Sequence, residues 1–91
     1  MNPSIILRRS PDVLQTDVND QPVLLHSTRW QYLQFDGAGG MIWKLLEQPM
    51  SLGMLISQLR QRYAVDEETC RRESESLLQK LLDEKFLIAE E

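Results

Sequence analysis

Gln31-Tyr32-Leu33-Gln34-Phe35-Asp36-Gly37-Ala38-Gly39-Gly40-Met41-Ile42-Trp43-Lys44-Leu45-Leu46-Glu47-Gln48-Pro49 changes its hydrophobic period partway along. From Trp30 to Phe35 the residues alternate, with Leu33 and Phe35 on one face and Trp30, Tyr32 and Gln34 on the other. That is the period of a β-strand. After Asp36, the residues Ala38, Met41, Ile42, Leu45 and Leu46 recur at i, i+3, i+4, i+7 and i+8, the stripe of an amphipathic helix. Asp36 is the expected N-cap, and Pro49 stops the helix. Gly37, Gly39 and Gly40 weaken a first turn, so their expected use is close approach of the backbone to a neighbouring element. Trp43 falls off the stripe and is expected to be exposed, as part of a contact surface or else as a cover for the sheet's rim.

Before this switch the chain reads as extended, and after it as helical. Val13 to Val18 forms a strand, with Leu14, Thr16 and Val18 on one face and Val13, Gln15 and Asp17 on the other. Asn19-Asp20-Gln21-Pro22 reads as a turn, since Asn and Asp tolerate left-handed geometry and Pro fixes φ. Val23 to His26 is apolar on both faces and is therefore expected at the centre of the sheet. Ser27-Thr28-Arg29 turns the chain into the strand that ends at Phe35. Ile5 to Leu7 carries only a faint strand signal. Short connections favour an antiparallel meander.

Beyond Pro49, Ser51 caps a second helix with the stripe Leu52, Leu55, Ile56, Leu59 and Tyr63. Asp66 caps a long third one, and Glu67 and Glu68 in its first turn suit the helix macrodipole. Phe86-Leu87-Ile88 makes an apolar tail. Three strands followed by three helices define an α+β domain with the helices packed on one sheet face.

Ninety-one residues suffice for one domain with one modest core. The whole chain, 1–91, is read as that domain, with its core at about 12–88. Ten basic residues against fourteen acidic ones give a net charge of -4, which argues against nucleic acid as the main partner. No apolar run approaches the ~20 residues that span a bilayer, so no membrane is expected. The single cysteine, Cys70, fits a reducing cytoplasm, the expected location.

Chemistry is hard to find along the chain. No GxSxG, HExxH, P-loop or CxxC sequence occurs. Asp36-Gly37-Ala38-Gly39-Gly40 lacks the GxGxxG order and the Lys-Ser/Thr ending of phosphate loops, and helix packing explains it better. His26 has no visible partner as a general base. Cys70 lies on an apolar stripe and reads as a small core residue. No enzyme, no metal and no cofactor is expected.

Two features point to recognition instead. In a meander ordered 1-2-3 the strand Gln31, Tyr32, Leu33, Gln34 and Phe35 lies on an edge. Its N–H and C=O groups can accept an added strand, because neither Lys nor Pro blunts it; the alternative is an edge covered by a helix or tail, or used for dimerisation. On the third helix Cys70, Ser74, Leu77 and Leu81 make the narrow core stripe. Leu78 and Leu82 then lie to one side, flanked by Arg71 and Glu75. That side strip is expected to form the wall of a peptide groove, or else a wider core face. A DNA-binding winged helix is the rival class, disfavoured because Glu67, Glu68, Glu73 and Glu75 offset Arg71 and Arg72.

The order Pro22-Val23-Leu24-Leu25, Tyr32 to Gly39, Ile42 to Pro49, Leu59-x-x-x-Tyr63-x-Val65-Asp66 and Leu77 to Ile88 resembles the PqqD-like family, also called RiPP recognition elements. The resemblance covers about residues 12 to 88. It implies a winged-helix-like domain of three antiparallel strands and three helices. It also implies a partner, the leader segment of a ribosomally made precursor peptide. That peptide would add as a strand to 31–35 in a groove against the helix 67–85. The Ile42-Trp43-x-Leu45-Leu46-Glu47-x-Pro49 run looks most like stand-alone members from lasso peptide pathways, which hand the precursor to a separate leader peptidase. The alternative is a peptide chaperone for a radical SAM enzyme. The chain departs from the family at Glu73-Ser74, where Asp-Val is common, at Lys85 or Phe86, where Gly is common, and at the extra Gly40.

Overall fold

A computed structural model describes residues 1–35 and 38–90, without the side chain of Ala38. The expected caps and turns set its element boundaries. In chain order the elements are β1 (Ile6–Arg9), β2 (Val13–Val18), β3 (Gln21–His26), β4 (Gln31–Gln34), α1 (Ala38–Leu45), β5 (Met50–Ser51), α2 (Leu52–Arg62), α3 (Glu67–Asp83) and β6 (Leu87–Glu90). The three helices and the α+β class agree with the sequence. The strand count does not: six strands form two antiparallel three-stranded sheets, ordered β2-β3-β4 and β5-β1-β6.

The first sheet is the expected meander. Asn19 and Asp20 close its first hairpin with φ of 54° and 66°, both left-handed. Val18 faces Gln21 across this two-residue loop, the arrangement whose twist matches paired strands. β3, apolar on both faces, is central. Its Pro22, Leu24 and His26 turn inward, and Leu33 and Phe35 continue that inner face on the far side of β4.

The second sheet was the less legible one. β1 is too short to show a period, yet Leu7 is fully buried and pairs with Met50 on one side and Ala89 on the other. The apolar tail supplies β6 as its partner. Strands from the two ends of the chain thus close the core from the side opposite the meander. Such long-range pairing leaves almost no local trace.

Both expected caps form. Ser51 Oγ accepts from Met54 N at 3.2 Å, and Asp66 Oδ2 accepts from Thr69 N at 3.0 Å. The Asp36 cap lies outside the described residues. At the other end of α3, Phe86 N–H donates to the Leu81 carbonyl at 2.9 Å and Lys85 N–H to the Leu82 carbonyl at 3.1 Å. This is the paired closure that ends many helices, with its left-handed position at Lys85, φ 67°. Glycine usually occupies that position, which gives a physical meaning to the chain's departure from the family there.

Trp43 corrects the sequence reading. It is only 1% exposed, because α1 is short and is covered on more than one stripe. Phe35 stacks on its ring with centroids 6.1 Å apart. Arg9 lies over the ring at 4.4 Å and donates to the Trp43 carbonyl, and the indole N–H donates to Gln15 Oε1 at 2.9 Å. The tryptophan therefore ties β1 and β2 to α1 and leaves no contact surface of its own. Burial lowers the pKa of Arg9, and nearby Glu47 opposes that shift.

Candidate peptide groove

β4 hydrogen-bonds to β3 on one side and, among the described residues, to no strand on the other. Of its residues, Gln31 is half-buried, Tyr32 is 75% exposed, Gln34 is exposed, and Leu33 is buried. Phe35, just past the strand, is buried under Trp43. The open side is therefore a run of main-chain groups in alternation, with apolar side chains turned inward and polar or aromatic ones outward. No charge or proline interrupts it.

From α3, Leu77 is the residue shown close to the end of this strand. A Cβ placed on Gly39 would lie 3.1 Å from Phe35 and 3.3 Å from Leu77, so Leu77 reaches the end of β4 at a point where α1 has no side chain. Here the close approach expected of Gly39 is visible, while Gly37 lies outside the described residues. Cys70, Glu73, Ser74 and Leu77 share a cavity of about 370 Å³ with Ile42 of α1 and Leu59 of α2. Ile42, Leu59 and Leu77 give it apolar walls. Ser74 is buried, with Cys70 Sγ 4.0 Å away as the nearest polar contact recorded.

The strip of Arg71, Glu75, Leu78 and Leu82 lies elsewhere. Leu78 is fully buried and belongs to the core, and Leu82 packs half-buried against it. Glu75 pairs with the amino-terminal ammonium at 2.8 Å. Arg71 faces α2. Leu77 and Glu75 are two positions apart, hence about 200° around the helix axis, so the two cannot line one wall. The structure thus brings Phe35, at the end of β4, and Leu77 of α3 to the same point on Gly39, and Leu77 shares its cavity with Cys70, Glu73 and Ser74. Burial of Leu78 departs from the expected side strip, because two leucine pairs at i, i+1 fit two nearly equivalent stripes.

Among the described residues no three His, Cys, Asp or Glu side chains gather to hold a metal ion, and no helix is long and apolar enough to cross a membrane. His26 is buried, with its Nδ1 facing Thr28 and its ring edge-on to Phe86 at 5.8 Å.

The sequence matches, over residues 22–87, the family described as Coenzyme PQQ synthesis protein D. No curated protein sequence matches it. Two solved structures are similar. One is TbiB1 in complex with the TbiA(beta) leader peptide, with a TM-score of 0.82, 29% identity and coverage of 88% of this chain and 93% of that one. The other is a lasso peptide synthetase B1 complexed with the leader peptide, with a TM-score of 0.72, 18% identity and coverage of 90% and 96%. At that identity the second likeness concerns the fold alone.

Proposed function

This chain belongs to the PqqD family, and from that footing we propose that it captures the leader segment of a ribosomally made precursor peptide and delivers it to a separate processing enzyme. The observation that carries the reading is the side of β4 left unpaired among the described residues, with Phe35 at its end meeting Leu77 of the α3 cavity over Gly39. An extended peptide laid along β4 gains main-chain hydrogen bonds for affinity, and alternate side chains meet the cavity for specificity. Four strand residues limit the main-chain contact to a short segment. The domain performs no chemistry in this scheme. It raises the local concentration of precursor beside the enzyme.

The likeness to TbiB1, solved with a leader peptide, supports a leader segment as the ligand, and the resemblance of the Ile42-Trp43-x-Leu45-Leu46-Glu47-x-Pro49 run favours a lasso peptide leader peptidase as recipient. In this reading the peptide contacts Gln31 to Phe35, and the wall is Cys70, Glu73, Ser74 and Leu77. The other α3 residues expected from the sequence support the wall from behind: Leu78 and Leu82 pack beneath it, and Arg71 and Glu75 lie on the far flank.

Titrating the purified chain with the labelled leader of the precursor encoded beside it tests the proposal. Binding at micromolar affinity or tighter, about -8 kcal/mol, is expected. Leu77→Asp places a charge against apolar peptide atoms and should weaken binding at least about tenfold, about 1.4 kcal/mol. Equal affinity of Leu77→Asp and the natural chain would remove the α3 wall from the site.

A further inference from the structure

On the far flank of α3 lies a second concavity, a furrow of about 530 Å³ between α2 and the start of α3. Gly53 and Ile56 form part of it, and two arginines from different helices, Arg60 and Arg71, line it against one acidic residue, Glu67. Cationic concavities are not what a chain of net charge -4 produces by default. The Arg71 side chain is also incompletely satisfied. Its Nη2 meets Glu67 at 3.5 Å, the outer limit of a hydrogen bond, while its Nε is buried without a partner. Among the described residues Arg60 enters no ion pair. Nε has no free surface, but the Arg71 side chain as a whole is 40% exposed, so its Nη groups, together with the Arg60 guanidinium, can meet a carboxylate in the furrow by charge-assisted contact.

Position adds to the argument. Tyr63 and Val65, in the connection from α2 to α3, line both this furrow and the apolar cavity that holds Leu77. A chain leaving the cavity over that connection enters the furrow directly. We propose that the furrow is a carboxylate subsite, in which Arg60 and Arg71 take an acidic side chain from the part of the captured peptide that flanks its β4-bound segment. That the carboxylate comes from the peptide rests on the reading of β4 above. That a carboxylate binds here does not.

The test follows the Nε–H resonance of Arg71 by NMR in the full chain, with the blocked tripeptide acetyl-Ala-Glu-Ala-amide as probe. A saturable shift is expected, absent with acetyl-Ala-Gln-Ala-amide and lost in Arg60→Gln. Glu67→Gln removes the competing internal carboxylate and should enlarge the shift at a given probe concentration. No shift, an equal shift with the glutamine peptide, or saturation only by inorganic phosphate would overturn the carboxylate subsite. The tripeptide is too short to need β4, so the subsite and the capture of a leader fail separately. Addition of the precursor's leader should abolish the tripeptide shift by competition. Persistence of the shift with the leader bound would overturn the assignment to the captured peptide.

Discussion

Single residues hold the most testable claims. Lys85 occupies the left-handed position that closes α3, where a side chain crowds the following carbonyl. Lys85→Gly should stabilise the fold by about 1 kcal/mol, read as a rise in the urea midpoint at unchanged slope. A fall would mean that the lysine makes a compensating contact. Trp43 carries a larger load. Its ring is stacked, cation-capped and hydrogen-bonded, so Trp43→Ala should cost on the order of 3–5 kcal/mol, a large share of a small domain's stability. Helical periodicity could not place Trp43, because an amphipathic stripe describes contact with one layer and this residue touches β1, β2 and Phe35 together. The inward side of Leu33 and Phe35, by contrast, was readable from alternation alone.

Among the elements, α3 shows where a sequence pattern underdetermines a face. Cys70, Ser74 and Leu81 are buried as expected, but the remaining core place is filled by Leu78 while Leu77 looks toward β4. Adjacent leucines differ by about 100°, and only the packing of α1 through Gly39 settles which one turns inward. The caps were legible because they are local. At Asp66 the bond from Thr69 N–H holds the carboxyl below its ordinary value, with Arg72 adding to the effect. A pKa lowered by folding means stability that is present above the unfolded value and lost as pH falls through the folded one. Thermal melts should therefore show a low-pH loss that is smaller in Asp66→Asn, which keeps an acceptor at the cap without the titration. An unchanged acid dependence would assign that loss to other carboxylates.

For the whole molecule, the meander and helices were foreseeable, since turn residues and periodicity mark each of them. The second sheet was not, because β1 and β6 are four residues each and their pairing spans most of the chain. Its consequence is global. A chain starting at Ser10 loses the central strand of that sheet and the fully buried Leu7. It should melt without a cooperative transition by circular dichroism. A sharp transition would show that β5 and β6 are dispensable appendages. With both sheets in place, α1 packs on β3 while α2 and α3 pack together and against β5 and β6, and among the described residues the outer side of β4 is left unpaired.

Amide hydrogen exchange along β4, with and without the precursor's leader, examines that opening directly. The account predicts that exchange on the open side of Gln31–Gln34 slows markedly when the leader binds, as unpaired N–H groups acquire partners from an incoming strand. A complex that forms while every β4 amide exchanges at its free rate would contradict it.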